Sequence, residues 1–253
     1  MHARGQQDKN GNLEDNPARD IDIQDIQRKQ LHVILSRQEL ERIYNDYGNT
    51  QPPPSGGPTR NWEQASALAT KRNKVILGLV VFQGLNSHEL QALTLKSLEL
   101  RAGKVHVEGG RRHNGRSFTL EAAQVLDLME YLPDRQAGTL GVRGDLLKLR
   151  ESKSRPEAGS TGMSSRALFV SVGSGSALNN TLNKLLAQIT KLEPKVKTLQ
   201  QLRASVITAW LKTHNLREAQ HKAGHRYVSS TEAYLINDLE GLAEDVARFH
   251  PIG

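Results

Sequence analysis

Between residues 62 and 120 the hydrophobic period changes, and that change constrains the fold more than any other feature of the chain. From about Trp62 to Phe82 apolar residues recur at helical spacing, thickening into Val75-Ile76-Leu77-Gly78-Leu79-Val80-Val81-Phe82. That predicts a helix with a buried end, stopped at Gly84. Asn86 is a good first residue for a second helix, and Glu89, three residues on, sits where it can reach back to it. The period then becomes two. Lys104–Glu108 and Arg116–Leu120 alternate, with Gly109-Gly110 and Asn114-Gly115 between them. Alternation interrupted by such residues predicts a β-hairpin, here with a basic tip, Arg111-Arg112-His113. Helical signal dominates elsewhere, so the expected fold class is mainly α with a small antiparallel β-sheet.

Residues 1–34 are polar and aperiodic, which predicts a mobile arm. Ser36 and Glu39 have capping-box spacing, and Leu40, Ile43 and Tyr44 then form one helical face. Pro and Gly throughout 49–60 demand a loop. After the hairpin a helix is expected over about Glu121–Tyr131, then a flexible, Gly- and Ser-rich insertion near 133–165. Ala167–Val170 reads as a short buried strand. Four helices are expected near 177–191, 198–213, 215–223 and 229–247, broken at Pro194, His214-Asn215 and Gly224. In the last of them Ile236, Leu239, Leu242 and Val246 make an apolar stripe, suited either to the chain's own core or to self-association.

The chain has no Cys, which excludes disulfides, thiolate catalysis and Cys-based metal centres. Its longest apolar run falls far short of the roughly 20 residues that span a bilayer. The first residues are polar, without a secretory apolar region, so a soluble cytoplasmic protein without membrane contact is expected. With 34 Lys and Arg against 27 Asp and Glu, the formal net charge is +7, which favours a polyanionic partner.

Four segments, in order, resemble the catalytic domain of tyrosine recombinases, the phage-integrase family. Gln83-Gly84-Leu85-Asn86-Ser87-His88-Glu89-Leu90-Gln91-Ala92-Leu93 is similar to the family's Thr-Gly-Leu-Arg-x-Ser-Glu-Leu segment. The basic hairpin is similar to the one that carries the family's catalytic Lys. Gln200-Gln201-Leu202-Arg203 resembles His-x-x-Arg, and Ala223-Gly224-His225 with Tyr234 nine residues beyond His225 resembles the Leu-Gly-His…Tyr block. The resemblance covers about residues 30–250, making 35–253 a catalytic domain. It implies a site-specific DNA recombinase or integrase of the kind found in mobile elements, acting on double-stranded DNA beside further recombinase copies, through a 3′-phosphotyrosyl intermediate. No metal or cofactor is implied.

In that chemistry a Tyr phenol attacks phosphorus, guanidinium groups neutralise the nonbridging oxygens, and proton carriers serve the leaving 5′-oxygen. The resemblance assigns Tyr234 as nucleophile, Arg203 to the phosphate and His225 to a phosphate contact. From the residues alone Tyr234 is equally an aromatic of an amphipathic helix, and His225 a residue local to a helix end. Arg203 lies among Leu199, Leu202, Val206, Ile207 and Trp210, and an Arg on an apolar face needs an anionic partner. Arg111 falls nearest the family's Lys, with Arg112 its neighbour. Both are candidate DNA contacts, as is Arg116, and Arg is a poor proton donor. Where the family has its first catalytic Arg this chain has Asn86, and where it has the His of His-x-x-Arg this chain has Gln200. Either can hydrogen-bond a phosphate but neither brings charge. Arg72, Lys74, His88 and Arg116 are the candidate replacements. The alternative function is a recombinase-fold DNA-binding subunit with weakened or lost chemistry. Family members carry a DNA-clamping domain upstream, and here that half of the clamp is expected to be missing or supplied by another protein.

Overall fold

The computed structural model describes residues 33–49, 60–111, 113–150, 166–170 and 178–235. The chain divides into two units, Met1–Leu31 and His32–Gly253, and every described residue belongs to the second.

Helix α1 (Arg37–Asn49) begins as its sequence predicts. The Ser36 hydroxyl accepts from the Glu39 N–H at 3.2 Å, and the Glu39 carboxylate accepts from the Ser36 N–H at 2.8 Å. Helix α2 (Arg60–Val81) forms the centre of the domain, packing against α1, α4 (Ala122–Arg150) and α6 (Leu199–Thr213). Its last turns bury Ile76, Leu77, Leu79 and Val80 almost completely. At the α2 end, Gln83 and Gln124 exchange amide hydrogen bonds of 2.9 and 2.8 Å, and Gln124 also accepts from the Glu121 N–H. Two buried amides are thus satisfied by each other, tying the end of α2 to the start of α4.

Helix α3 (Ser87–Ala92) starts at the Asn86 cap. The sheet has three antiparallel strands in the order β1 (Leu98–Glu99), β2 (Lys104–Val107), β3 (Arg116–Thr119). The hairpin register pairs Val107 with Arg116 and Val105 with Phe118, so these four share the face turned to the core. Helices α5 (Leu178–Leu192), α6, α7 (Leu216–Ala223) and α8 (Ser229–Glu232) complete the described order.

The structure departs from the sequence expectations in three places. The helix expected to end near Tyr131 continues through Pro133 to Arg150. Proline removes one backbone donor, but beyond it Arg135 is buried and donates to the Leu168 carbonyl at 3.0 Å and to the Ala167 carbonyl, anchoring the continuation. Residues 151–165 of the expected insertion lie outside the described residues. The strand expected at 167–170 is a single bridge, Thr94 to Ala167, because the Leu168 carbonyl is taken by Tyr131 and Arg135 side chains. Of the helix expected over 229–247, the described residues show α8 followed by a turn that holds Tyr234, and the rest lies outside the described residues. The arm through residue 32 and the stripe from Ile236 onward lie outside the described residues, while the carbonyl of Val33, at the end of the expected arm, accepts from Gln201 at 2.9 Å. No helix of the described residues is long and apolar enough to cross a membrane.

Candidate active site

The site is assembled around one buried carboxylate. Glu89 is 1% exposed. One of its oxygens accepts from Arg116 Nη1 at 2.7 Å. The other accepts from the Asn86 N–H at 2.9 Å and from Arg203 Nη1 at 3.3 Å. Burial alone would push the Glu89 carboxyl up, but the Arg116 and Arg203 guanidiniums and the Asn86 N–H together hold it below the ordinary value.

Arg203 points from α6 into the gap between the end of α2 and the end of α7. Besides Glu89 it donates to the Gly84 carbonyl, to the Ala223 carbonyl at 2.7 Å, and from Nη2 towards His225 Nε2 at 3.3 Å. Gly84 takes a positive φ of 59°, and a Cβ there would press on Val206 and Trp210 of α6. Because an arginine only donates, His225 Nε2 must be the acceptor, which leaves Nδ1–H to donate to Thr231 Oγ1 at 2.9 Å. The Tyr234 ring stacks on His225 with centroids 5.7 Å apart and planes 15° from parallel. Burial pushes the Arg203 guanidinium below the ordinary arginine value, and Glu89 and the Tyr234 phenol oppose that shift.

The end of α7 supplies acceptors. Three consecutive carbonyls there, of Lys222, Ala223 and Gly224, are taken by Arg116 Nε at 2.8 Å, Arg203 Nη2 at 2.7 Å and the Asn114 N–H at 3.0 Å. A helix C-terminus presents unpaired carbonyls and partial negative charge, so two cations belong there. Gly224 closes the helix at φ 69°, and a Cβ at this position would overlap the Arg116 guanidinium. The hairpin is fastened to the same turn by a backbone bridge between His113 and His225 and by Arg226 donating to the Arg111 carbonyl at 3.0 Å.

The structure therefore brings Arg203, His225 and Tyr234 together. Asn86 is engaged as the helix cap, its side-chain oxygen accepting from the Glu89 N–H at 2.9 Å. Gln200 is exposed in the first turn of α6 and makes no hydrogen bond to the cluster. Its neighbour Gln201 is the buried one, donating to the Val33 and Lys195 carbonyls. Arg111 is exposed at the hairpin tip, and Arg112 lies outside the described residues. Arg116, a candidate DNA contact and a candidate replacement for the missing Arg, is 3% exposed and lies inside the cluster. Sequence reasoning missed Glu89 as a shared counterion. It also missed His113, whose Nδ1 is buried with no hydrogen-bond partner among the described residues. Among the described residues no group of three His, Asp or Glu side chains is placed to hold a metal.

This architecture is the tyrosine-recombinase catalytic fold: mostly helical, with a small three-stranded antiparallel sheet beside the site. The solved structures it is similar to include XerA recombinase, at TM-score 0.54 and 19% identity over 88% of this chain and 67% of that one. They also include XerH site-specific recombinase bound to palindromic difH substrate in a post-cleavage complex, at TM-score 0.59 and 21% identity over 86% of this chain. A pre-cleavage complex of XerH on difH gives TM-score 0.57 and 20% identity over 84% of this chain. The chain spans 53% of the length of either XerH chain. No protein-family model matches the sequence, and no curated protein matches it.

Proposed function

We propose that this chain is a site-specific DNA recombinase that cuts and rejoins double-stranded DNA through Tyr234. The observation that carries the reading is the convergence of Tyr234, His225 and Arg203, on three different segments, into one stacked and hydrogen-bonded group. The Tyr234 oxygen attacks phosphorus, a new phosphorus–oxygen bond forms to tyrosine, and the bond to the 5′-oxygen breaks. The phenol loses its proton and the 5′-oxygen gains one. His225, with Nε2 facing Arg203 and Nδ1 tied to Thr231, is held beside the phosphate position and packs its ring face on the phenol of Tyr234. Arg203 supplies fixed positive charge to the nonbridging oxygens. The phosphotyrosine conserves the bond energy, so the reverse attack by a 5′-hydroxyl rejoins the strand without an external source.

The test is single-turnover trapping on a nicked suicide duplex carrying a target selected by binding. Wild type should form a covalent adduct that Tyr234→Phe lacks while DNA affinity stays unchanged. An adduct that survives Tyr234→Phe overturns the assignment. A second reading, a DNA-binding subunit of a recombination complex with little chemistry, is favoured by Asn86 and Gln200, because one is occupied as a cap and the other lies outside the cluster. A binding-competent wild type that never forms the adduct decides for it.

A further inference from the structure

We propose that Arg116, reaching in from strand β3, supplies with Arg203 the second guanidinium of the phosphate site, in place of the charge that Asn86 lacks. The inference rests on the recombinase reading above and deepens it.

Four observations converge on Arg116. It shares one carboxylate with Arg203: Arg116 Nη1 lies 2.7 Å from Glu89 Oε1 and Arg203 Nη1 lies 3.3 Å from Oε2. The two guanidiniums are therefore held side by side on a common anchor. Their charges exceed that of Glu89 by one unit, which matches a single phosphodiester. Arg116 Nη2 is buried and has no hydrogen-bond partner among the described residues. A charged donor shut away from water without an acceptor is costly, and an anionic oxygen is the ligand it fits. Gly224 leaves room for this guanidinium where any Cβ would overlap it, and the same residue leads directly into His225. Finally, the other candidate replacements are engaged elsewhere or turned away. Lys74 pairs with Asp127 at 3.0 Å, Arg72 donates to the Val170 carbonyl at 2.9 Å, and His88 is exposed.

The geometry also gives Arg116 a rigid mount. Nε donates to the Lys222 carbonyl at 2.8 Å, and the guanidinium carbon lies 5.3 Å from the centroid of the Phe118 ring. Phe118 is stacked in turn on Trp210 of α6, the helix that carries Arg203. Both cations are thus tied to one packed group.

The experiment uses the whole chain and inorganic phosphate as the probe. Wild-type protein with 15N-labelled arginine is titrated with phosphate, and side-chain Nε–H resonances are followed. Arg116→Lys and Arg203→Lys assign the two signals. Both signals should shift with one common dissociation constant. By calorimetry Arg116→Lys, which keeps the charge beside Glu89 but loses the fork, should weaken phosphate roughly 10- to 100-fold, the effect of losing a charge-assisted hydrogen bond. Lys184→Arg, at an exposed position on α5, should leave affinity unchanged. If Arg203 responds and Arg116 does not, the phosphate site stands and the assignment of Arg116 is overturned. If neither responds, the site itself and the recombinase reading both fall. Should Arg116→Lys misfold, triple-resonance assignment of the wild-type Arg116 side chain replaces it, and the wild-type titration still decides.

Discussion

Replacing Glu89 by Gln keeps the shape of the side chain and removes its charge. In the structure that carboxylate accepts from two guanidiniums and one backbone N–H, with the Arg116 and Glu89 side chains 1% and 0% exposed. An amide oxygen can still take one or two of these donors, but two buried cations then face each other with no counterion. Breaking a buried ion pair by removing one partner costs about 3–5 kcal/mol. For a domain of this size each kcal/mol moves the midpoint by about 2–4 °C, so the melting temperature should fall by roughly 6–20 °C. Acid dependence gives a second measurement. Because the folded Glu89 carboxyl sits below its ordinary value, its stabilisation is complete above the unfolded pKa, about 4.3, and is lost as pH falls through the folded pKa. Urea unfolding of wild type and Glu89→Gln should therefore differ most at neutral pH and converge on acidification. A difference under about 1 kcal/mol at pH 7, or one that does not shrink in acid, would refute the idea that one carboxylate anchors both arginines.

Further outcomes follow from the same contacts. Asn86→Arg should give no faster adduct formation, because Arg116 already brings charge. Loss of the cap should cost about 0.5–2 kcal/mol by thermal melting. Gly224→Ala should cost at least the roughly 1–2 kcal/mol of left-handed backbone, with further loss from displacing Arg116, and should weaken phosphate binding in calorimetry. The Arg111→Ala, Arg112→Ala double variant should lower the log–log salt slope of duplex binding by roughly 0.9 for each phosphate contact removed, as read from fluorescence anisotropy. An unchanged slope would take the hairpin tip off the DNA.

Much of the fold is written in short local signals. The caps at Ser36 and Asn86 and the alternation on either side of the hairpin each rest on residues a few positions apart, and each element forms where those residues place it. What the sequence hid depends on distant partners. The α4 continuation past Pro133 is fixed by Arg135 reaching residues more than 30 positions away. Strand Ala167–Val170 is reduced to one bridge because side chains of Tyr131 and Arg135, more than 30 positions away, take the Leu168 carbonyl, and apolar character gives no sign of that. Arg203, His225 and Tyr234 were legible through motif order. Arg116 was legible in a different way: alternation puts it on the face of Phe118 and Leu120, where a charge demands a counterion. The same rule applied to Glu89 would have paired them.

Tyr234 follows the shortest α-helix among the described residues. Helix α8 has four residues, and Thr231, which is fully buried, is the residue that hydrogen-bonds it to His225. An element this small, next to a core of long helices, opens with its own low free energy rather than with global unfolding. Its backbone amides should exchange with solvent well before those of α2 or α6. Opening of that turn would part the phenol from His225 while Arg203 on α6 and Arg116 on β3 keep their shared carboxylate. With the nucleophile and phosphate site proposed above, detachment of one helical turn, rather than rearrangement of the domain, would set when the phenol is presented.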